Sequence, residues 1–181
     1  MFVYKVDNLL HIVPLSQIDP DKIEVLLDVA FEPERRNRTS YKIRANQQWM
    51  PSLSFAAIDA TGTLCGLLQC TDVGLVTQNG VVHPITFVGP LAVQPGYQRR
   101  GVGRALMGAL MDAEARRAPG TDAFAVIGDP DYFDRLFGFS ATWTTDWELP
   151  GPVDRHRLLA KTSRAAGLPS HAKLGPLQLP T

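Results

Sequence analysis

Short apolar runs alternate along this chain with two stretches of helical periodicity. LLHIVPL (9–15) predicts a strand that stops at Pro14, and Asp19-Pro20-Asp21 then predicts a helix start. Ile23, Leu26, Leu27 and Ala30 follow at helical spacing. LSFAAIDA (53–60) and LCGLLQCTDV, placed around Thr61-Gly62-Thr63, predict a hairpin. A further strand is expected in ITFVGPLAV (85–93), where Gly89-Pro90 predicts a bulge or splay that frees backbone groups. From Val102 the apolar positions Ala105, Leu106, Ala109, Leu110 and Ala113 form one continuous helical stripe. Arg116 and Arg117 suit its C-terminal dipole, and Pro119-Gly120 is expected to end it. FAVIG (124–128) reads as a fully apolar strand, and DPDYFDRLFGF (129–139) as a Pro-initiated short helix closed by Gly138. ATWTTDWEL and HRLLAKTS predict two more strands, and the tail beyond Arg164 is expected to wrap the surface or stay loose.

This order predicts one α/β layer structure, and 181 residues are enough for a single domain with a substantial core. Apolar residues make up 45% and charged ones 20%, which excludes a disordered chain. Eighteen basic residues balance eighteen acidic ones, so overall charge gives no reason to expect nucleic acid or a membrane as partner. Cys65 and Cys70 are an odd number of positions apart, on opposite faces if they share a strand, and read as buried free thiols. His11, His83, His156 and His171 are too scattered for a zinc pair, and no metal is expected. With no basic n-region and no long apolar span, a soluble, reducing, cytoplasmic setting is expected.

The most informative segment is the loop PGYQRRGVGRALM (95–107). A glycine-rich turn from strand to helix exposes the first helical N–H groups, which together with the dipole form an anion site. Gly101 and Gly103 let a ligand approach the backbone closely. Arg99, Arg100 and Arg104 are poorly placed for folding, since each cation at a helix N-terminus costs roughly 0.3–1 kcal/mol. A bound polyphosphate reverses that sign. Gly96 and Gly101 have the glycine spacing of a triphosphate loop, but Val102 and Gly103 stand where Lys and Ser or Thr are needed. A dinucleotide fingerprint fails at Leu106, which is too large for its third glycine.

Leu91-Ala92-Val93 followed by Gln98-Arg99-Arg100-Gly101-Val102-Gly103 resembles the Q/R-x-x-G-x-G/A acetyl-CoA signature of the GNAT superfamily of N-acetyltransferases. GDPDYF and FGF (128–139) resemble the second cofactor-contacting segment, especially in a bacterial subgroup reading GDP-x-YY-x-x-FGF, and AFEPERRNRTSYKIR resembles that subgroup's first helical region. The likeness spans roughly residues 9–161. It implies a GNAT-like mixed, splayed central sheet flanked by helices, with the acetyltransferase domain over 1–162 and a tail over 163–181. It also implies acetyl-CoA as co-substrate, with Leu91, Ala92 and Val93 pairing with pantetheine and the Arg99–Arg104 amides holding the pyrophosphate. Tyr132, Phe133 and Arg135 would lie near the thioester and the CoA arm.

The implied reaction moves acetyl to an amine of a small-molecule or peptide acceptor by direct transfer. An alkylamine with an ordinary pKa near 10.4 is protonated at pH 7, a deficit of about 4.6 kcal/mol that a base or a desolvated site must offset. The 85–93 strand carries no Asp or Glu, so Asp129 is the first candidate for amine contact or proton removal, with helix capping as its other role. Family members commonly protonate the departing thiolate with a tyrosine of the second segment. Here the pair is Tyr132-Phe133 with one extra residue before Phe137-Gly138-Phe139, so either Tyr132 acts from a shifted register or it packs as an aromatic. Glu32, Glu34, Arg35, Arg36 and Arg38 form either a solvated face or an acceptor groove, and His83 and Trp143 read as structural. The competing reading is a non-catalytic acyl-CoA-binding or regulatory module. Homodimerisation is compatible with the resemblance.

Overall fold

The computed structural model describes residues 3–4, 10–118 and 122–177; the expected helix end at Pro119-Gly120 lies outside them. The strands are β1 (Val3–Tyr4), β2 (Leu10–Pro14), β3 (Phe55–Ile58), β4 (Leu64–Val76), β5 (Val82–Val93), β6 (Ala123–Ile127), β7 (Leu158–Thr162) and β8 (Lys173–Pro176). The α-helices are α1 (Pro20–Phe31), α2 (Thr39–Ile43), α3 (Val102–Ala115) and α4 (Pro130–Phe137). Hydrogen-bonded neighbours run β1-β2-β3-β4-β5-β6-β7, with β8 added to β4. β5 and β6 are parallel, while β2–β3, β3–β4 and β6–β7 are antiparallel, so the sheet is mixed as expected.

The chain forms two compact units, and β4 and β5 each run from one into the other. The first contains β1 to β3, the start of β4, the end of β5, α1 and α3. Asp19 caps α1 by accepting the Asp21 N–H at 2.9 Å, and Pro20 occupies the first helical position. The α1 stripe of Ile23, Leu26 and Leu27 packs with Ala56, Leu67 and Ala92. Gly66, next to Leu67, points the other way: a Cβ there would lie 2.8 Å from Val102 Cγ1 and 2.9 Å from the Ala92 carbonyl. Successive strand residues face opposite sides, so α1 and α3 cover the two faces of this part of the sheet. The whole predicted α3 stripe, Val102 through Ala113, is buried.

The second unit packs Val73, Leu75, Phe87, Ala125, Leu158 and Ala160 around Trp147. Its segment ATWTTDWEL is not the predicted strand: residues 141–143 form a 3-10 turn. Local side-chain bonds compete with the ladder here. Ser140 Oγ accepts the Thr142 N–H at 3.1 Å, Thr144 Oγ1 donates to the Leu158 carbonyl at 2.7 Å, and Trp147 Nε1 donates to the Pro169 carbonyl at 2.8 Å. The tail is not loose either. Leu168, Ala172 and Leu174 join the core, and β8 pairs Lys173–Pro176 with Val76–Val73. Cys65 and Cys70 are both buried and free.

Candidate functional site

β5 leaves ordinary strand geometry at Gly89, the first residue of the Gly-Pro pair. The parallel ladder with β6 runs through Val88↔Val126, and Gly89 then takes φ 135°, a conformation that favours glycine. Beyond it, Leu91, Ala92 and Val93 complete the strand, with Ala92 buried against α1 and the other two partly exposed. The Gln94 N–H donates to the Cys65 carbonyl at 2.9 Å, and Pro95–Tyr97 make one 3-10 turn.

The loop then opens onto α3. Gly101 is its N-cap at φ 79°, with no side-chain cap and no acidic residue in the first turn. The exposed Gln98, Arg99, Arg100 and Arg104 surround this start, while Val102 is anchored in the core and Gly103 is half-buried. Arg99 itself adopts φ 60°, a left-handed conformation costing a non-glycine residue about 1 kcal/mol. Strain of this kind collects at ligand clamps. The first amides of α3, its dipole and three arginines thus form an anion site, to which a CoA pyrophosphate is chemically suited.

One long-range bond that sequence reasoning missed fixes this loop. The Tyr97 hydroxyl donates to Asp59 Oδ2 at 2.7 Å, and the Arg100 guanidinium lies 5.7 Å over the Tyr97 ring. Asp59 Oδ1 accepts the Thr61 hydroxyl at 2.7 Å and the N–H groups of Thr61 and Thr63 at 2.9 Å. The Thr61 hydroxyl, followed by Tyr97, holds the Asp59 carboxyl well below the usual carboxylate range. The bond to Asp59 pushes Tyr97 up to about 12, and burial pushes the nearby Cys65 thiol up. A hollow of about 550 Å³ lined by Val25, Val29, Thr61, Leu64 and Gln94 lies beside this turn, and none of Gln98 to Arg104 lines it.

The second unit carries the other predicted residues on α4. Asp129 is exposed and caps the helix, its Oδ1 accepting the Asp131 N–H at 3.0 Å. The Tyr132 hydroxyl is buried, and its ring meets Phe133 and Phe137 edge-on at 5.0 and 5.5 Å. Phe133 is core, packed on Phe139 at 5.8 Å and so close to Gly128 that any Cβ there would run into its ring. Arg135 is exposed in the last turn, His83 is partly exposed on β5, and Trp143 lies against Gly167.

The early charge run is folded rather than spread out. Arg35 is buried, donating from Nη2 to Glu24 Oε2 at 2.6 Å and from Nε to Asp28 Oδ1 at 2.8 Å. Arg36 shares Glu24 at 2.7 Å. These two arginines therefore tie the segment to α1; Arg36 is itself exposed, as are Glu32, Glu34 and Arg38.

The family model of the acetyltransferase (GNAT) family matches residues 23–139, well over half the chain. No curated relative matches the chain. Among solved structures it is similar to a GNAT family N-acetyltransferase from Escherichia coli in complex with CoA, at 21% identity and a TM-score of 0.65, covering 96% of this chain and 93% of that one. It is also similar to a GNAT family acetyltransferase from Brucella melitensis in complex with acetyl-CoA, at 20% identity and a TM-score of 0.60, covering 90% and 92%. At these identities the likeness shows the fold, and it agrees with the family match. The mixed sheet and the family match over residues 23–139 agree, and the chain belongs to the GNAT acetyltransferase family.

Proposed function

We propose that this acetyltransferase moves the acetyl group of acetyl-CoA directly to an amine of a small-molecule or peptide acceptor. The observation that carries the reading is the α3 start: a left-handed Gly101 with no side-chain cap, ringed by Arg99, Arg100 and Arg104. In this reading the amides from Arg99 to Arg104, with Gln98 beside them, hold the pyrophosphate. The backbone of Leu91, Ala92 and Val93 pairs with pantetheine.

The neutral amine attacks the thioester carbonyl carbon, the carbon–sulfur bond breaks, and the thiolate leaves with the electron pair. Tyr132 is our candidate to return a proton to that sulfur. Its hydroxyl is buried on α4. Asp129 is our candidate for contact with the acceptor amine, although its cap already uses Oδ1. The two roles of Asp129 separate in Asp129→Asn, because asparagine caps a helix about as well as aspartate but carries no charge.

The test is release of free CoA thiol across an amine panel, with wild type, Tyr132→Phe and Asp129→Asn. Loss of a positioned proton donor is expected to slow turnover by roughly 10²-fold while acetyl-CoA binding stays intact. An unchanged rate in Tyr132→Phe removes Tyr132 from the chemistry, and an unchanged rate in Asp129→Asn leaves Asp129 as a cap. Acetyl-CoA binding without thiol release on any amine would favour a non-catalytic acyl-CoA module.

A further inference from the structure

The hollow of about 550 Å³ lies wholly within the first unit, between α1 and the turn that joins β3 to β4. Its α1 wall carries Val25 and Val29, one helical turn apart and 63% and 54% exposed. β-branched residues are weak helix formers, and on a solvated helix face Glu or Lys would serve folding better. The opposite wall, Thr61 to Thr63, is fixed in place by Asp59, whose Oδ1 accepts the Thr61 hydroxyl and the N–H groups of both threonines. The hollow is thus pre-formed, and its size falls within the roughly 300–1,000 Å³ of ordinary ligand pockets. Gln94 completes the lining. Its side chain is half-buried, and its Oε1 is buried with no hydrogen-bond partner among the described residues. An orphaned buried acceptor is costly, and native structures keep few of them without a reason. Asp21 and Lys22, adjacent on α1 and both exposed, bring opposite charges to the lining, so the hollow favours neither a cation nor an anion.

We propose that this hollow is a binding site for a neutral small molecule with an apolar body and one N–H or O–H donor. The body lies against Val25, Val29 and Leu64 and covers apolar surface that α1 otherwise leaves to water. The donor supplies the partner that Gln94 Oε1 lacks. The terminal torsion of a glutamine is soft, so the oxygen can swing to a donor in the hollow. A purely apolar molecule would leave that acceptor orphaned, and a charged one gains nothing from a lining whose charges cancel. None of Gln98 to Arg104 lines the hollow, so its ligand is a different molecule from the anion read at the start of α3.

Indole, an apolar body with a single N–H, and N-methylindole, the same body without it, are the probes. Each is titrated into isotope-labelled wild type, Gln94→Leu and Val25→Asp, and binding is followed by amide NMR shifts. Wild type is expected to show saturable shifts at Val25, Val29 and Thr61–Leu64, with N-methylindole bound about tenfold more weakly than indole. In Gln94→Leu the two probes are expected to bind equally. Val25→Asp, a change at an exposed position, should bind both at least about tenfold more weakly, since a carboxylate then faces the apolar body. An otherwise unchanged amide spectrum shows that both variants are folded. The proposal is overturned by the absence of saturable shifts in wild type, or by equal binding of the two probes there. It is also overturned if Gln94→Leu keeps the preference for indole, or if Val25→Asp binds as wild type does. A wild-type dimer in light scattering that Val25→Asp dissociates overturns it too, and assigns the hollow to a second copy of this chain.

Discussion

α3 and α4 each follow a strand of the sheet, and they begin in opposite ways. At α4 the chain completes its own terminus: Asp129 accepts the Asp131 N–H, Pro130 needs no partner, and Asp131 adds a negative charge in the first turn. At α3 nothing of the kind is present. Gly101 has no side chain to cap with, the first turn holds no acid, and the neighbouring charges are all of the sign that the dipole opposes. A terminus built for stability looks like the first, and the proposed pyrophosphate would supply the negative charge that the second lacks. The contrast separates structural from ligand-binding use of the same helical physics.

The contrast breaks most sharply if α3 is given what α4 has. Gly101→Asp places a negative charge at the proposed anion site, in a left-handed conformation that aspartate tolerates better than most residues. Calorimetry should show acetyl-CoA affinity reduced about 100-fold, equivalent to ~2.7 kcal/mol. Binding within threefold of wild type would mean that the phosphates lie elsewhere. A smaller effect is expected from Arg99→Gly, which exchanges a strained residue for one at ease at φ 60°. Chemical denaturation should show a gain of about 0.5–1 kcal/mol while acetyl-CoA binds roughly tenfold more weakly. Stability and affinity moving together would contradict the reading of Arg99 as a residue kept for its charge. At α4, Asp129→Ala should cost about 1 kcal/mol of stability through the lost cap and leave acetyl-CoA affinity unchanged, because neither role read for Asp129 touches the cofactor loop.

What the sequence made legible follows the range of the interactions. Both strand-to-helix junctions are local, and the glycines, Pro130 and the apolar stripe of α3 announce them directly. The Gly-Pro pair likewise marks the positive φ of Gly89 in β5. ATWTTDWEL misled because Thr and Trp are good strand residues, while here their polar atoms bond to carbonyls of Ala141, Leu158 and Pro169. β8 was hidden in a segment rich in Pro and Gly, where pairing with β4 outweighs weak local preference. Tyr97 and Asp59 are 38 residues apart, and Arg44, whose Nη1 donates to the Gly89 carbonyl, is 45 residues from it. No periodicity or spacing connects such pairs.

The link between Tyr97 and Asp59 makes the cofactor loop indifferent to acidity over the whole biological range. Asp59 is held below its ordinary value, so its contribution is present above an unfolded carboxyl pKa of about 3.9 and fades only as pH falls below that. Tyr97 is raised to about 12, so its contribution is full below an unfolded phenol pKa of about 10 and fades as pH rises through the higher value. Between those limits donor and acceptor keep one protonation state each, and the latch neither loosens nor tightens. Between pH 5 and 9 this one link therefore adds no slope of its own to a pH–rate profile.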